Sequence, residues 1–545
     1  MKLRSYIFIL LTLAATLVVV SRWSVRWDLT EDKHYSISKA TQTLVSELSA
    51  PIEVRLLLDG RLNPSFLKLS NATKELIDEL SHYGTITYSV AAPTKDDTGI
   101  IRTLNPIVIH ERQQQGQTVQ THVYPYAVVR VGERETVIPL LKNNRGLSGE
   151  ENINHSIEQL EFAFAEALQQ LSDNGSRKIA FIEGHGELSE REVYDLSLSL
   201  SRYFQIDRGS LTGDANDLLP YSAIIIAAPE EPYSDADKYQ IDQYVMQGGK
   251  VMWIQDGVQF SEDILSSDGF TPIIQKDVNL QDILFRYGMR LTPTLLQDKQ
   301  CLPIAVDVSS DPQQPNFQPM PWYYAPLLLA SQASPIGYNL GSVSAMFCSA
   351  VEAVGGEDGI RKEVLLATSS SSRAISAPAE VDLSLVTGDD ASFSHAYIPV
   401  AMLAEGSFPS LFQHRMTPDG VTPGKQYTSS QQTRQILIGS SSIARNNWQQ
   451  GQPVPLGYDR YTGMQFANKD FLTNAVLYLT DNAGIIFLRQ KDYTLRLLND
   501  HKSHQSQLAI QTATCLTPLL ILLIVGMAVN TTRRIRYRKH NTHKI

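Results

Sequence analysis

The chain has 545 residues, of which 43% are hydrophobic and 19% charged, and its formal net charge is −10. This acidic balance argues against a nucleic-acid partner, because nucleic-acid-binding surfaces are basic. The three cysteines include no CxxC pair and therefore provide no disulfide framework. Cys301 and Cys348 are able to form one bridge in an oxidising compartment only if they meet in the fold, which the sequence leaves open.

An apolar run opens the chain. Residues 1–4 carry two positive charges and predict a cytoplasmic N-terminus, and the uncharged residues 5–21 predict a transmembrane helix. A cleaved signal peptide is the alternative, because a basic start followed by a short apolar run is typical of one. We favour an uncleaved anchor, since the candidate cleavage site is poor and Trp23 and Trp27 lie where interfacial anchors belong.

Residues 22–172 predict an N-terminal periplasmic α/β domain. Alternating hydrophobicity indicates strands, and apolar residues at helical spacing indicate two helices, the second of them capped by Asn154 or Ser156. The predicted strands are residues 51–58, 85–90, 124–131 and 135–140, and the predicted helices are residues 66–83 and 154–171.

Residues 173–300 predict a doubly wound parallel sheet, because short, wholly apolar strands alternate with helices. Two capping boxes, Ser189 with Glu192 and Ser234 with Asp237, indicate where helices begin. The pair Gly248 and Gly249 indicates where the second of these helices ends. The predicted strands are residues 178–182, 223–227, 250–254 and 289–291.

Three polar residues follow the first of these strands. Glu183, His185 and Glu187 lie at the carboxyl edge of the predicted sheet, where ligands of such folds usually bind. Two carboxylates and an imidazole at alternate positions are suited to acid–base chemistry or to metal binding. They are equally typical of a strand-to-helix loop, in which the glycines permit the turn and Glu187 lies near a helix N-terminus. We therefore take them as candidates for ligand or partner binding, and we predict no catalytic residue, no metal site and no cofactor.

Residues 301–489 predict the C-terminal part of the periplasmic α/β region. The aromatic run at residues 322–324 is either buried core or a partner surface. Residues 490–506 predict a charged stalk helix, and residues 507–529 predict a second transmembrane helix. The tail, residues 530–545, carries six Lys or Arg and no acidic residue, which predicts that it is cytoplasmic. Two spans would place both termini inside and the large domain in the periplasm.

Motifs for nucleotide chemistry and for nucleophilic catalysis are missing from the sequence. The chain has no Walker A motif, no GxGxxG and no GxSxG nucleophile elbow. We therefore predict a protein that is not an enzyme. The alternative is an anchored periplasmic hydrolase or ligand-binding protein that uses Glu183, His185 and Glu187.

Several short segments, in order along most of the chain, form a specific pattern. They are RWDLTEDK at 26–33, YSIS at 35–38, DG at 59–60, NATKEL at 71–76, IEGHGE at 182–187, NL at 279–280, YG at 287–288, EGSFPS at 405–410, ARN at 444–446, NKDFL at 468–472 and NA at 474–475.

In these segments the chain resembles the gliding-motility-associated ABC transporter accessory proteins of the GldG type. The resemblance implies a periplasmic domain on two membrane anchors, a permease partner and a separate ATPase subunit. It also implies that the second domain is similar to class I glutamine-amidotransferase-like folds, without their cysteine nucleophile. The turn at residues 439–442 (GSSS) departs from the family, which tends to carry aspartate there.

Overall fold

The computed structural model describes residues 37–490 and 507–540, apart from residues 49, 61, 95–100, 102–103, 113–117, 142–147, 173–176, 308, 310–315, 356–358, 383–391, 423 and 482. The chain divides into two units, Met1–Lys491 and Asp492–Ile545. The predicted transmembrane helix at 5–21, the anchors Trp23 and Trp27 and nearly all of the predicted stalk lie outside the described residues.

The first part of the large unit is a four-stranded sheet, in the order β2-β1-β5-β6, packed against helices. Strand β1 is parallel to β2 and antiparallel to β5, and β3 and β4 form a separate hairpin. The strands are β1 Ile52–Leu56, β2 Ile86–Val90, β3 Ile107–Arg112, β4 Thr118–Val123, β5 Tyr126–Val131 and β6 Arg134–Pro139. The helices are α1 Lys39–Glu47, α2 Pro64–Leu80, α3 Gly149–Glu158 and α4 Leu160–Ser172.

The last helical segment of this part begins earlier than predicted. Ser148, not Asn154 or Ser156, is the N-cap of α3, and its side chain and that of Glu151 form a reciprocal capping box. Such a box satisfies two backbone N–H groups that lack helical partners, and it therefore fixes the helix start. The predicted single helix is also two helices, because the chain is not helical at Gln159 between α3 and α4.

The beginning and the end of the described part of the large unit meet on α4. The carboxylate of Glu161 accepts hydrogen bonds from the backbone N–H of Ser38, at 2.6 Å, and from the hydroxyl of Thr41, at 3.0 Å. On the same helix, Phe162 and Ala165 pack with residues of a 3-10 turn, Ile485–Gln490, and with Leu44 of α1. One helix thus holds the first and the last segments of the described part of this unit.

The second part of the large unit is built on one ten-stranded sheet. Its main path runs β15-β16-β19-β22-β23-β10-β9-β7-β8, and the short β17 pairs with β16. Strands from residues 301–438 thus share a sheet with strands from residues 178–254, and the predicted domain boundaries remain predictions. The strands of this sheet are β7 Lys178–Glu183, β8 Gln205–Ser210, β9 Tyr221–Ala227, β10 Val251–Ile254, β15 Cys301–Asp307, β16 Phe317–Ala330, β17 Val343–Ser344, β19 Arg361–Ala367, β22 Pro399–Pro409 and β23 Ser429–Ile438.

Shorter strands form small sheets beside the large one. They are β11 Val258–Gln259, β12 Phe270–Gln275, β13 Met289–Leu291, β14 Thr294–Asp298, β18 Val351–Ala353, β20 Ser372–Ser376, β21 Ala379–Asp382, β24 Trp448–Gln449 and β25 Gln452–Pro453. The helices of this part are α5 Tyr194–Leu200, α6 Asp235–Met246, α7 Glu262–Asp268, α8 Gln281–Arg286 and α9 Asn468–Thr480. Strand β13, predicted to extend the main sheet, pairs instead with β18 in a two-stranded sheet.

Both faces of the large sheet are covered by helices, as predicted for a doubly wound fold. On one face, residues such as Phe181 and Ile225 pack with Leu196 of α5 and Phe471 of α9. On the other face, residues such as Ile224 and Trp253 pack with α6 and α8. Each fully buried side chain of this kind contributes roughly 1.5–3 kcal/mol to folding.

The strands of the large sheet that lie in residues 173–300, where a parallel sheet was predicted, are parallel, whereas most of the strands added from residues 301–438 are antiparallel. Strands β8, β7, β9, β10 and β23 are parallel, whereas β22, β19, β16 and β15 join the same sheet antiparallel. Strand β22 is buried on both faces, with Ala401 and Leu403 in the core on one side of the sheet and Met402 and Ala404 in the core on the other, so its sequence shows no alternation.

Of the two predicted capping boxes, one starts a helix as expected. Ser234 and Asp237 form a complete box at the start of α6, which ends before Gly248 at a φ of 95°. At the other, the backbone N–H of Ser189 donates to Glu192, but the residues that follow form turns and α5 begins only at Tyr194.

The aromatic run at residues 322–324 belongs mainly to a core. Trp322 and Tyr324 are 4% and 3% exposed and pack with Phe347 in a cluster beside the large sheet. Cys301 and Cys348 are free thiols, so no bridge joins them.

The second unit contains one described helix, α10, which spans Gln507–His540 and includes the predicted second span. Across the described residues, no helix combines the length and the apolar character that crossing a membrane requires. Neither predicted transmembrane helix is therefore confirmed.

Candidate functional site at the carboxyl end of strand β7

The predicted site lies where the order of the parallel strands reverses. The chain passes from β7 to β8 on one side and then to β9 on the other, so the loops after β7 and β9 diverge at the sheet edge. Crevices at such switch points are where open α/β sheets usually bind ligands. Glu183 is the last residue of β7, and the loop that follows contains His185 and Glu187. The loop after β9 contains Glu230 and Glu231.

Backbone hydrogen bonds join the two loops at this crevice. The carbonyl oxygen of His185 accepts hydrogen bonds from the N–H groups of Glu230, at 2.7 Å, and Glu231, at 2.9 Å. Gly186 has a φ of 72°, and a Cβ atom there would lie 2.9 Å from the Cβ of Glu230. A glycine is therefore required both by the backbone conformation and by the close approach of the second loop.

The structure brings His185 and Glu187 together. The carboxylate of Glu187 is 1% exposed and accepts hydrogen bonds from the backbone N–H of His185, at 2.7 Å, and from the hydroxyl of Tyr233, at 2.5 Å. Its Oε1 atom also lies 3.4 Å from Nδ1 of the His185 ring. The buried carboxylate of Glu187 therefore stabilises the loop through these hydrogen bonds. The sequence predicted that Glu187 lies near a helix N-terminus, but α5 begins only at Tyr194.

The imidazole of His185 lies between two elements. Its ring stacks on that of Tyr233, with centroids 3.7 Å apart, and its Nε2 atom lies 3.3 Å from Oδ2 of Asp237 in the first turn of α6. Both ring nitrogens thus face carboxylate oxygens. Of the two, Nε2 lies within hydrogen-bonding distance of its carboxylate, whereas the buried Nδ1 makes no hydrogen bond to the described residues.

Glu183 does not join this group. Its carboxylate accepts a hydrogen bond of 2.6 Å from Nε of Arg208 on the neighbouring strand β8. Arg208 also donates from Nη2 to the carbonyl oxygen of Leu188, at 2.8 Å, and lies over the ring of Phe181. Glu183 therefore fastens the loop to β8, on the other side of β7 from β9.

Sequence reasoning missed Tyr233 and the second role of Asp237. Asp237 was recognised only as a capping residue, and it does accept hydrogen bonds from the N–H and the hydroxyl of Ser234. Burial and the neighbouring carboxylate of Glu187 raise the pKa of Tyr233 well above its ordinary value of 10.0, so the phenol stays protonated and keeps donating. No local pattern in the sequence distinguishes this tyrosine from other buried ones.

Among the residues that the structure describes, no group of three or more His, Cys, Asp or Glu side chains is arranged to hold a metal ion. The side chains of His185, Glu187 and Tyr233 join the loop after β7 to the start of α6, so their contacts hold these two segments together. Two carboxylates and an imidazole are also the elements of a general acid–base pair, although the His185 side chain is only 13% exposed.

The turn at residues 439–442, where the sequence departs from the GldG type, lies after β23 and is held by internal contacts. The N–H of Ser441 donates to Oδ1 of Asp256 at 2.7 Å, and the hydroxyl of Ser440 donates to the carbonyl oxygen of Met346 at 2.9 Å. An aspartate is thus present at this turn, supplied by the loop after β10.

Comparisons with known proteins match two parts of the chain, residues 31–130 and 176–475. The domain of unknown function DUF7088 matches residues 31–130. The comparison with curated proteins gives no match. One solved structure, "mmIFT52 N-terminal domain", matches with 12% identity and a TM-score of 0.29, over 56% of this chain and 98% of that chain. At that TM-score the likeness carries no argument.

The auxiliary family described as "ABC-type uncharacterized transport system" matches residues 176–475. This match covers more than half of the chain, including the whole candidate site and most of the large sheet. The chain therefore belongs to this family of ABC transporter auxiliary proteins.

Proposed function

We propose that the chain is a non-enzymatic accessory subunit of an ABC transporter, anchored in the inner membrane with its large unit in the periplasm. The observation that carries the proposal is the family match over residues 176–475. Because the sequence contains no Walker A motif, the proposal assigns ATP hydrolysis to a separate ATPase subunit and the pore to a permease. The finer assignment to the gliding-motility-associated GldG type rests on the sequence segments given above.

A non-enzymatic role is supported by the packing at the switch point. The loops after β7 and β9 are joined at the crevice by their own hydrogen bonds, and the buried carboxylate of Glu187 is already engaged by Tyr233 and by the His185 backbone. A general base needs an accessible path to the proton that it abstracts. We therefore assign His185, Glu187 and Tyr233 to shaping a surface that other subunits contact.

Membrane anchoring is supported by the sequence at both ends. Between Leu516 and Val529 the residues are mainly apolar, and those of them described in α10 have exposed side chains, for example Leu522 at 68%. The basic residues that follow favour a cytoplasmic C-terminus. A reporter fused after Ile545 should then behave as cytoplasmic, and one inserted near Asn316 as periplasmic. Protease cleavage of the tail from outside intact cells would overturn this topology.

Purification of the tagged full chain in mild detergent tests the subunit role. We expect an ABC ATPase and a permease to co-purify in fixed ratio, and we expect neither with an unrelated membrane protein of similar abundance prepared in parallel. Recovery of the chain without either protein, from cells that produce all three, would contradict the proposal.

A periplasmic hydrolase or ligand-binding protein is the second candidate, and the observation that favours it is the contact of His185 with both Glu187 and Asp237. In that case the purified chain should turn over or bind a sugar, peptide or ester probe. His185→Ala should remove that activity while stability and co-purification remain unchanged. The subunit proposal expects the reverse, with co-purification reduced and no turnover by either form.

A further inference from the structure

The edge strands of the four-stranded sheet and of the ten-stranded sheet differ in how they are protected against pairing with another strand. Edge strands that lack charged residues, proline and a covering element are ready templates for pairing. Three of the four edges carry such protection: β6 contains Arg134 and Glu135, β8 contains Asp207 and Arg208, and β15 contains Pro303.

The fourth edge is β2, which lacks the charged residues and the proline found in the other three. Its sequence, ITYSV, has no charge and no proline, and among the described strands it pairs with β1 alone. The three central residues, Thr87, Tyr88 and Ser89, are exposed, and the Tyr88 side chain is 41% exposed. All five residues have side chains that favour strands or tolerate them.

The hydrogen bonds to β1 determine which backbone groups of β2 point outward. The carbonyl oxygen of Thr85 and the N–H of Ala91 both bond to β1, at 2.9 and 3.0 Å. Because backbone groups alternate in direction along a strand, Thr87 and Ser89 also face β1. The N–H and C=O groups of Ile86, Tyr88 and Val90 therefore point away from the sheet. We call this row of outward groups the β2 edge.

The β2 edge is complementary to itself. When two copies of β2 lie antiparallel with Tyr88 opposite Tyr88, Ile86 faces Val90 of the other copy. Each of these facing pairs then exchanges two backbone hydrogen bonds, so every outward group is satisfied. The side chains also match: β-branched apolar residues face each other, Thr87 faces Ser89, and the two tyrosines form an aromatic cross-strand pair.

From this symmetry we propose that the β2 edge is a contact site for a second copy of this chain, which joins two copies of the four-stranded sheet across a two-fold axis. Such a contact is isologous, as most homodimer interfaces are. Five residue pairs bury much less than the roughly 1,000 Å² of a stable interface, so the contact is weak unless the copies are held at high local concentration.

Disulfide cross-linking of the full chain tests both the contact and its register. Two differently tagged forms, one with Thr87→Cys and one with Ser89→Cys, are produced together in a Cys301→Ser, Cys515→Ser background. In the proposed register these two positions face each other, at a separation that permits a disulfide. Thr87 lies diagonally from Thr87 of the other copy, at roughly 7–8 Å, which is beyond the usual reach of a disulfide.

We expect mild oxidation to cross-link the unlike chains several-fold more than the like chains. Tyr397→Cys, at a position 59% exposed outside this sheet, reports random collision. Tyr88→Lys, added to both forms, should reduce the cross-link to the level of that control, because two ammonium groups would then face each other. The proposal is overturned if unlike and like chains cross-link equally, or if neither exceeds the Tyr397→Cys control.

Discussion

The hydroxyl of Tyr233 donates a 2.5 Å hydrogen bond to Oε1 of Glu187, across 46 positions of sequence. The bond joins the loop after β7 to the segment just before α6. Removing only the hydroxyl, with Tyr233→Phe, leaves a buried carboxylate without one of its donors. We expect the free energy of unfolding to fall by about 1–3 kcal/mol. Denaturant titration of the purified chain measures this change.

Tyr397→Phe is the matched control for that experiment, since Tyr397 is 59% exposed and its hydroxyl is replaced in the same way. It should leave the unfolding midpoint unchanged within error. Equal effects of the two substitutions would mean that the bond from Tyr233 contributes nothing to stability.

Replacing His185 tests whether its ring joins the loop to α6 or performs chemistry. His185→Ala removes a ring stacked at 3.7 Å on Tyr233 and the contact with Asp237. We expect a loss of about 1–3 kcal/mol in stability together with weaker co-purification of the transporter subunits. Loss of function by 10²-fold or more with stability and co-purification intact would instead assign catalysis to His185.

The glycines of the loop should be more sensitive than its imidazole. At Gly186 a methyl group meets Glu230 at 2.9 Å in addition to the strain of a positive φ, whereas at Gly132, with a φ of 63°, nothing lies within 4 Å. Gly132→Ala should therefore cost only about 1–2 kcal/mol of strain, and Gly186→Ala clearly more. Gly184→Val, at a φ of 120°, should be similarly damaging, because a β-branched residue resists that conformation. Thermal unfolding of the three variants ranks them, and equal midpoints for Gly132→Ala and Gly186→Ala would contradict the packing argument.

A buried carboxylate on α6 should make stability depend on pH. Asp242 is fully buried and accepts hydrogen bonds from Ser410, Tyr287 and the N–H of Leu411, yet burial raises its pKa above the ordinary value of 3.8. A pKa raised on folding contributes stability below the unfolded value, and this contribution is lost as pH rises through the folded value. Relative to Asp242→Asn, which does not titrate, the wild type should therefore lose free energy of unfolding as pH rises from about 4. Parallel curves for the two proteins across that window would refute this.

Cys301 and Cys348 should react slowly with alkylating reagents. Burial raises the pKa of Cys301 to about 11 and that of Cys348 to about 12. Because the thiolate is the reactive form, alkylation at pH 8 should be slower in the folded chain than in the unfolded chain, by about 10²-fold at Cys301 and about 10³-fold at Cys348. After denaturation without reductant, mass spectrometry should show both residues alkylated, since both are free thiols. A disulfide-linked peptide pair would contradict this.

Much of the fold follows from local sequence signals. The capping box at Ser234 and Asp237 and the apolar strands around Ile225 and Trp253 are visible as short-range patterns, and these elements form as expected. The direction of β22 is not visible, because a strand buried on both faces has the same apolar composition in either orientation. The start of α3 at Ser148 was accessible in principle, since Ser148 and Glu151 have the spacing of a capping box.

The candidate site was predictable only in part. The position of His185 and Glu187 at a carboxyl sheet edge follows from the strand that precedes them and from the glycines around them. Their partners Tyr233 and Asp237 come from the segment before α6 and from the first turn of that helix, and only the tertiary fold brings these residues together. Glu183, one residue before the turn, pairs with Arg208 instead, because strand β8 lies on that side of β7.

The first and last described segments of the large unit both pack on α4, and this has a mechanical consequence. Tension applied to this unit through Ser38 and Leu488 acts across Glu161 and Phe162, which are adjacent on one helix. The shortest path for the load therefore runs through α4 and bypasses the strands of the ten-stranded sheet. We expect a force applied at Ser38 and Leu488 to detach α1 and the 3-10 turn from α4 before the ten-stranded sheet unfolds.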